Sequence, residues 1–114
     1  MKIEVSKPGH GVYVLRVQGE VDMSTSPDLR QKLVPLFGKG VSHVIVDLSG
    51  TPYMDSSGIA TLVEGLQLGR KWNIRFTLAA VAPSVQAIFD LAHLKSVFEM
   101  VPGLDHLLQG KDRS

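Results

Sequence analysis

The segment that decides the fold lies near the middle of the chain and reads Val46-Asp47-Leu48-Ser49-Gly50-Thr51-Pro52-Tyr53-Met54-Asp55-Ser56-Ser57-Gly58-Ile59. Its first residues complete a near-continuous apolar run, His43–Leu48, which is typical of a strand buried on both faces of a parallel or mixed sheet. We predict that this strand is central. A polar loop at 49–55 follows, and a helix then begins. The apolar stripe of that helix is predicted to contain Ile59, Leu62, Val63 and Leu66.

The N-terminal part of the chain begins with a predicted hairpin and continues with a helix. Two β-branched runs, Ile3–Val5 and Val12–Val17, are separated by a turn rich in glycine and proline. Ser26 and Pro27 then mark a helix start, with Ser26 as the N-cap and Pro27 at the first helical position. Because Pro35 lacks a backbone donor, we expect a kink or a shortened last turn in this helix.

The C-terminal part supplies two further strands and two further helices. Asn73 ends the second helix, and strands are predicted at Phe76–Val81 and Val97–Met100. A third helix starts at Pro83, and a final short helix covers Leu104–Leu108. The apolar residues carried by the third helix are Val85, Ile88, Phe89 and Leu91. Strands that alternate with helices indicate right-handed crossovers and therefore an α/β fold.

The composition indicates one soluble domain and excludes several classes of protein. The chain has 114 residues, of which 44% are hydrophobic, enough for one packed core. Twelve basic residues oppose eleven acidic ones without clustering, so nucleic acid is not an expected partner. The lack of cysteine excludes disulfides and thiolate chemistry and is compatible with a reducing compartment. With neither a signal peptide nor a membrane-span run, we expect a cytoplasmic protein.

The loop before the second helix is the candidate functional site. In open α/β sheets, ligands and chemistry gather at the carboxyl ends of the strands. The first amides of a helix have no partners within it and its dipole is positive there, so an anion is stabilised. A phosphate on Ser57 would therefore be well placed. From the spacing alone, the alternative is that Ser56 or Ser57 only caps the helix.

At these residues the chain resembles the bacterial anti-sigma factor antagonists, which are single-domain STAS proteins. The resemblance extends over about Val12 to Leu108. It is carried by Val46–Leu48 and Asp55–Gly58, by Gly19–Asp22, Ser24–Ser26 and Leu29, and by Ala80–Val85, Leu91–Leu94 and Val97–Phe98. It implies one STAS domain over residues 1–109, followed by a flexible tail at 110–114. It also implies a mixed sheet of four to five strands with helices packed mainly on one face.

The same resemblance implies a partner-switching function. The unphosphorylated protein would bind an anti-sigma factor that is a GHKL-type serine kinase, and so release a sigma factor. Phosphorylation of Ser57 would weaken that complex, and a PP2C-type phosphatase would reverse it. The protein itself would be no enzyme, would need no cofactor and would be a monomer or a weak dimer. The residues expected to contact the partner are Asp22, Ser24, Thr25, Met54, Asp55, Ser56 and Gly58.

Two of these residues have a structural alternative. Asp22 resembles the family's acidic residue beside the phosphorylation loop, but it could equally be a carboxylate that caps a turn. Met54 either contacts the partner or packs beneath the loop. The sequence leaves both pairs of alternatives open.

Other functions are weighed against this one. A serine hydrolase would need a Gly-x-Ser-x-Gly elbow, and the first glycine is missing before Asp55. The four histidines lack the spacing of a metal site, and the basic residues near Arg70 are typical of a solvated helix end. The stronger alternative is another STAS role, as an accessory subunit of an ABC-type lipid transporter or a stress-sensing scaffold. Such a subunit would tolerate Ser57→Ala.

Overall fold

Five strands form one mixed sheet, and their order in the sheet is their order along the chain. The computed structural model describes residues 1–105 and 107. The strands are β1 (Lys2–Gly9), β2 (Val12–Gln18), β3 (His43–Gly50), β4 (Arg75–Ala79) and β5 (Glu99–Val101). β1 is antiparallel to β2, and the remaining neighbours are parallel. The α-helices are α1 (Ser26–Leu33), α2 (Ser56–Trp72) and α3 (Pro83–Leu91).

β3 is the central strand and is buried on both faces, as its sequence predicts. Every residue of His43–Leu48 is buried. Val44, Val46 and Leu48 belong to the larger core cluster, whereas Ile45 belongs to a smaller cluster on the opposite face. Side chains on both faces of β3 are therefore buried. This explains why the segment lacks the alternation of apolar and polar residues that is typical of a strand with one exposed face.

The three α-helices lie on one face of the sheet, because their buried side chains join the larger cluster. A row of aromatic rings crosses this layer. The distances between ring centroids are 5.8 Å for Phe37 and Phe76, 6.4 Å for Phe76 and Phe98, and 5.4 Å for Phe98 and Phe89. The smaller cluster on the other face includes Leu107. The predicted α/β class, with helices packed mainly on one face of the sheet, is therefore confirmed.

The first helix differs slightly from its prediction at its start and agrees with it at its end. Its N-cap is Thr25 and its first helical residue is Ser26, so the prediction of Ser26 as the cap is wrong by one position. Its regular part ends at Leu33 and a 3₁₀ turn, Val34–Leu36, follows. This is the shortened last turn expected from Pro35, which cannot donate to a carbonyl in the preceding turn.

The C-terminal elements show three corrections. β4 ends at Ala79 instead of residue 81 because Ala80 has a φ of 55°, which breaks the extended conformation. The last strand begins at Glu99 and not at Val97. Leu91, predicted on the apolar face of α3, is 82% exposed. It is the last residue of the helix and lies beyond the edge of the core.

The end of the chain is described only in part. Leu104, Asp105 and Leu107 are helical, in agreement with the predicted final helix. The remainder of that helix, the domain boundary at residue 109 and the predicted tail at 110–114 lie outside the described residues. In the part of the chain that is described, no helix has the length and apolar character needed to cross a membrane.

The different burial of two α3 residues can be tested by unfolding in denaturant. Phe89 is fully buried against Phe98, so Phe89→Ala should lower the free energy of unfolding by about 3 to 5 kcal/mol. Leu91→Ala removes an exposed side chain and should change it by less than about 0.5 kcal/mol. Equal losses for the two variants would contradict the assigned orientation of α3.

Candidate functional site

Two loops meet at the carboxyl end of the parallel strands. Loop L1 (residues 19–25) follows β2, and loop L2 (residues 51–55) follows β3. A parallel bridge joins Val21 to Met54. The Val21 N–H donates to the Tyr53 carbonyl at 3.0 Å, and the Asp55 N–H donates to the Val21 carbonyl at 3.0 Å. The pairing of β2 with β3 thus continues past the strand ends and fixes L1 beside L2.

The side chains of the bridge form the floor under the start of α2. Val21 and Met54 are fully buried, and Gly58 lies directly above them. A Cβ atom on Gly58 would lie 2.5 Å from Met54 Cγ and 2.8 Å from Val21 Cγ1, closer than real Cβ contacts. The glycine is therefore needed for α2 to approach the bridge. Met54 packs beneath the loop, and its prediction as a partner contact is wrong because none of its surface is accessible.

Asp55 is the N-cap of α2 and also binds the Ser57 hydroxyl. Its Oδ1 atom accepts the Ser57 N–H at 2.9 Å, the Gly58 N–H at 3.4 Å and the Ser57 Oγ–H at 2.5 Å. The alternative that a serine only caps this helix is therefore wrong, because the cap is a carboxylate. Ser57 is half-buried and Ser56 is exposed.

The hydroxyl of Ser57 changes the titration of its partner. The hydrogen bond from the Ser57 hydroxyl is the main cause that lowers the pKa of Asp55 below its ordinary value. The hydrogen bonds from the Ser57 and Gly58 amides lower this pKa further. Partial desolvation and the negative charge of Asp22 act in the opposite direction. Asp55 is therefore ionised at neutral pH. Asp22 follows Val21, whose carbonyl accepts the Asp55 N–H at 3.0 Å, so the backbone pairing brings the two acidic residues to the same place.

Asp22 closes the turn in L1. Its Oδ1 atom accepts the Ser24 hydroxyl at 2.6 Å, the Ser24 N–H at 2.9 Å and the Thr25 N–H at 3.2 Å. These bonds, led by that of the Ser24 hydroxyl, lower the pKa of Asp22. The turn-capping alternative is thus present in the structure. The Asp22 carboxylate also acts on the titration of Asp55. The role of Asp22 in presenting the phosphorylation loop to the kinase stays a prediction.

Sequence reasoning missed three residues at this site. Met23 in L1 is 80% exposed, and Tyr53 in L2 is 46% exposed. The Ser84 hydroxyl at the start of α3 donates to the Pro52 carbonyl at 2.7 Å. An apolar residue beside Asp22 in a polar loop was a usable signal for Met23. Nothing local indicated the Ser84 contact, because the fold brings together residues that are 32 positions apart.

The remaining candidate groups lie away from the loops. His43 is buried and its Nε2 atom lies 2.8 Å from the Thr77 hydroxyl. No group of three or more acidic, histidine or cysteine side chains among the described residues could hold a metal ion. Arg70 and Lys71 lie in the last turn of α2, which ends at the left-handed Asn73.

The mixed sheet with helices mainly on one face, and the serine at the start of the helix after the central strand, agree with the STAS fold that the sequence resemblance implies. The STAS domain family model matches residues 4–107, and the chain belongs to this family. An anti-sigma-B factor antagonist of Staphylococcus epidermidis is 30% identical over 93 residues, which cover 82% of this chain and 86% of the relative. The family resemblance seen in the sequence is thus confirmed.

Solved structures show the same fold. The crystal structure of an anti-sigma factor antagonist from Mycobacterium paratuberculosis has a TM-score of 0.82 at 28% identity, covering 96% of this chain and 92% of that chain. The anti-sigma factor antagonist SpoIIAA in its unphosphorylated form has a TM-score of 0.80 at 18% identity, covering 97% of each chain. The phosphorylated form of the Bacillus SpoIIAA has a TM-score of 0.74, covering 95% of this chain and 98% of that one.

The close approach at Gly58 predicts a loss of stability on substitution. Gly58→Ala should lower the free energy of unfolding by about 1 to 3 kcal/mol, because its methyl group meets the buried Met54 and Val21 side chains. Gly38→Ala is the control, since a Cβ there meets nothing within 4 Å. Thermal or denaturant unfolding measures both variants. A stabilised Gly58→Ala variant would show that α2 does not rest on the bridge.

The lowered pKa values of Asp22 and Asp55 predict an acid-sensitive fold. The unfolded chain binds protons at higher pH than the folded chain, so stability falls as the pH drops below about 4 through the folded pKa values. Asp55→Asn keeps a good N-cap but cannot titrate, so its stability should depend less steeply on pH between about 2 and 5. Denaturant midpoints measured across this range provide the comparison. An unchanged slope would contradict the assigned hydrogen bonds.

Proposed function

We propose that the chain is an anti-sigma factor antagonist that exchanges partners through phosphorylation of Ser57. The unmodified form binds an anti-sigma factor serine kinase and releases a sigma factor, and the phosphorylated form loses that affinity. The observation that carries the proposal is the Ser57 hydroxyl, which lies at the start of α2 and donates to Asp55 beside Asp22. The named function of the similar staphylococcal protein supports it, as does the phosphorylated form of SpoIIAA.

The geometry suits Ser57 as the acceptor of a phosphoryl group. Ionised Asp55 holds the hydroxyl proton at an oxygen–oxygen distance of 2.5 Å, which leaves lone pairs of Oγ free to attack the γ-phosphorus of ATP. A bond forms between Oγ and phosphorus, and the bond from phosphorus to the bridging oxygen of ADP breaks. The hydroxyl proton leaves toward a carboxylate, and Asp55 is already hydrogen-bonded to it.

Phosphorylation then changes both the charge and the hydrogen bonding of the site. The ester has no hydroxyl proton, so the hydrogen bond from Ser57 to Asp55 is lost. A charge of about −1.5 to −2 appears beside two ionised carboxylates, Asp55 and Asp22. Repulsion and bulk oppose a tight interface, while the N-terminus of α2 stabilises the anion and keeps the chain folded. A hundredfold loss of affinity needs only about 2.7 kcal/mol.

The partners and location that we propose are those that the resemblance to anti-sigma factor antagonists implies. The kinase is of the GHKL type, a PP2C-type phosphatase resets the switch, and the exchange takes place in the cytoplasm. The chain acts as a regulatory monomer or weak dimer and not as an enzyme. The contact residues that we propose lie on the accessible side of L1, L2 and α2: Asp22, Ser24, Thr25, Asp55 and Ser56. Gly58 contributes through its lack of a side chain and not through exposed surface.

The site of modification provides the direct test. After incubation with the cognate kinase and ATP, mass mapping should place one phosphate on Ser57. Ser57→Ala should abolish labelling and keep the kinase bound, whereas the matched variant Ser56→Ala should be labelled like the wild type. A phosphate on Ser56, or no phosphate at all, would overturn the proposal. So would a complex with a transporter ATPase that is indifferent to Ser57→Ala.

A further inference from the structure

Two large apolar side chains are exposed on the joined loops. Met23 in L1 is 80% exposed and Tyr53 in L2 is 46% exposed, while their neighbours Val21 and Met54 are completely buried. Tyr53 is adjacent to Met54 and therefore lies on the opposite side of the bridge, whereas Met23 lies in the turn that Asp22 closes, two residues beyond Val21. Single exposed apolar residues are common on protein surfaces. Here, however, both belong to the two loops that carry Asp22 and Asp55.

L1, L2 and the first residues of α2 together concentrate negative charge. Residues 19–25 and 51–58 contain Glu20, Asp22 and Asp55 but neither lysine nor arginine, although the whole chain has a net charge of +1. Glu20 is exposed, and Asp22 and Asp55 are partly exposed. The accessible surface around Ser57 is thus acidic with two apolar side chains. Its complement is a surface with an apolar socket and basic residues around it.

We infer that Met23 and Tyr53 are the apolar anchors with which the unmodified chain binds its serine kinase, whose contact surface is an apolar socket surrounded by basic side chains. This inference rests on the proposed function and adds to it the chemistry of the partner. Methionine and tyrosine are enriched at protein interfaces, and a few such residues dominate binding energy. The carboxylates around them steer association.

The two kinds of contact have different parts in the switch. Burial of Met23 and Tyr53 does not depend on charge, so these residues determine how tightly the chain binds and which partner it selects. The carboxylates of Glu20, Asp22 and Asp55 attract basic side chains of the partner. A phosphate on Ser57 changes the ion pairs that these carboxylates form with the partner. Because Met23 and Tyr53 do not bond to Ser57 in the structure, their substitution separates docking from phosphoryl transfer.

Leu91 offers a matched control for Met23. It is 82% exposed, almost the same fraction as Met23, but it lies at the end of α3 and outside both loops. Met23 in L1 and Leu91 at the end of α3 are therefore two apolar side chains of similar size and exposure at different places on the surface. A general loss of apolar surface would affect both substitutions equally, whereas a docking site at the loops affects only one.

The experiment measures the affinity of the unphosphorylated chain for the purified cognate kinase by titration calorimetry in the presence of ADP. Met23→Ala should weaken binding about tenfold or more. Met23→Leu should bind nearly like the wild type, and Leu91→Ala should be unchanged. In phosphorylation assays, Met23→Ala should raise the KM for the chain and leave kcat within about twofold. Circular dichroism confirms that each variant is folded.

A charge pair tests the basic character of the partner. Glu20→Lys and Asp90→Lys change the net charge of the chain equally, but Glu20 lies in L1 and Asp90 is exposed on α3. Glu20→Lys should slow association about tenfold at low salt, and Asp90→Lys should slow it much less. Equal effects of the two would contradict a localised basic complement.

The outcomes distinguish the failure of this inference from that of the function. If the wild type is phosphorylated at Ser57 and binds the kinase, but Met23→Ala binds equally well, the inference fails and the function stands. If Leu91→Ala weakens binding as much as Met23→Ala, the docking surface is not centred on the loops and the inference fails. If the wild type neither binds a kinase nor accepts a phosphate, both fail.

Discussion

The parallel bridge between Val21 and Met54 is the contact on which the site depends. It extends the pairing of two parallel strands into the loops beyond them, and its two buried side chains form the floor for α2. Gly58 lets the helix approach that floor, and Asp55 caps the helix directly above it. The position of Ser57 at the start of α2 is therefore fixed by backbone pairing and core packing.

The Asp55 carboxylate has two functions that the proposed phosphorylation of Ser57 would bring into conflict. As a cap it satisfies amides at the start of α2, and as an acceptor it holds the Ser57 hydroxyl. An ester on Ser57 keeps the first function and removes the second, because the donor is lost and a negative charge takes its place. The nearby Asp22 increases that repulsion. A small covalent change can thus alter the surface without unfolding the domain.

The elements with strong local signals could be predicted from the sequence, and those that depend on distant residues could not. The unbroken apolar run at His43–Leu48 predicted the central strand, and Pro35 predicted the early end of α1. Ser57 was identified from a local motif and a family resemblance. The sequence left the burial of Met54 as one of two alternatives and did not predict the exposure of Leu91, because each depends on how a loop or helix end meets the core. Likewise, no local pattern shows that L1 pairs with L2.

The most direct test of this account compares the kinase affinity of one preparation of the chain before and after stoichiometric phosphorylation at Ser57. Calorimetric titration under conditions that prevent further transfer would give both dissociation constants. We expect the phosphorylated form to bind about a hundredfold more weakly or worse, which corresponds to about 2.7 kcal/mol, with an unchanged circular dichroism spectrum. Equal affinities of the two forms would contradict the central claim that the state of this hydroxyl decides docking.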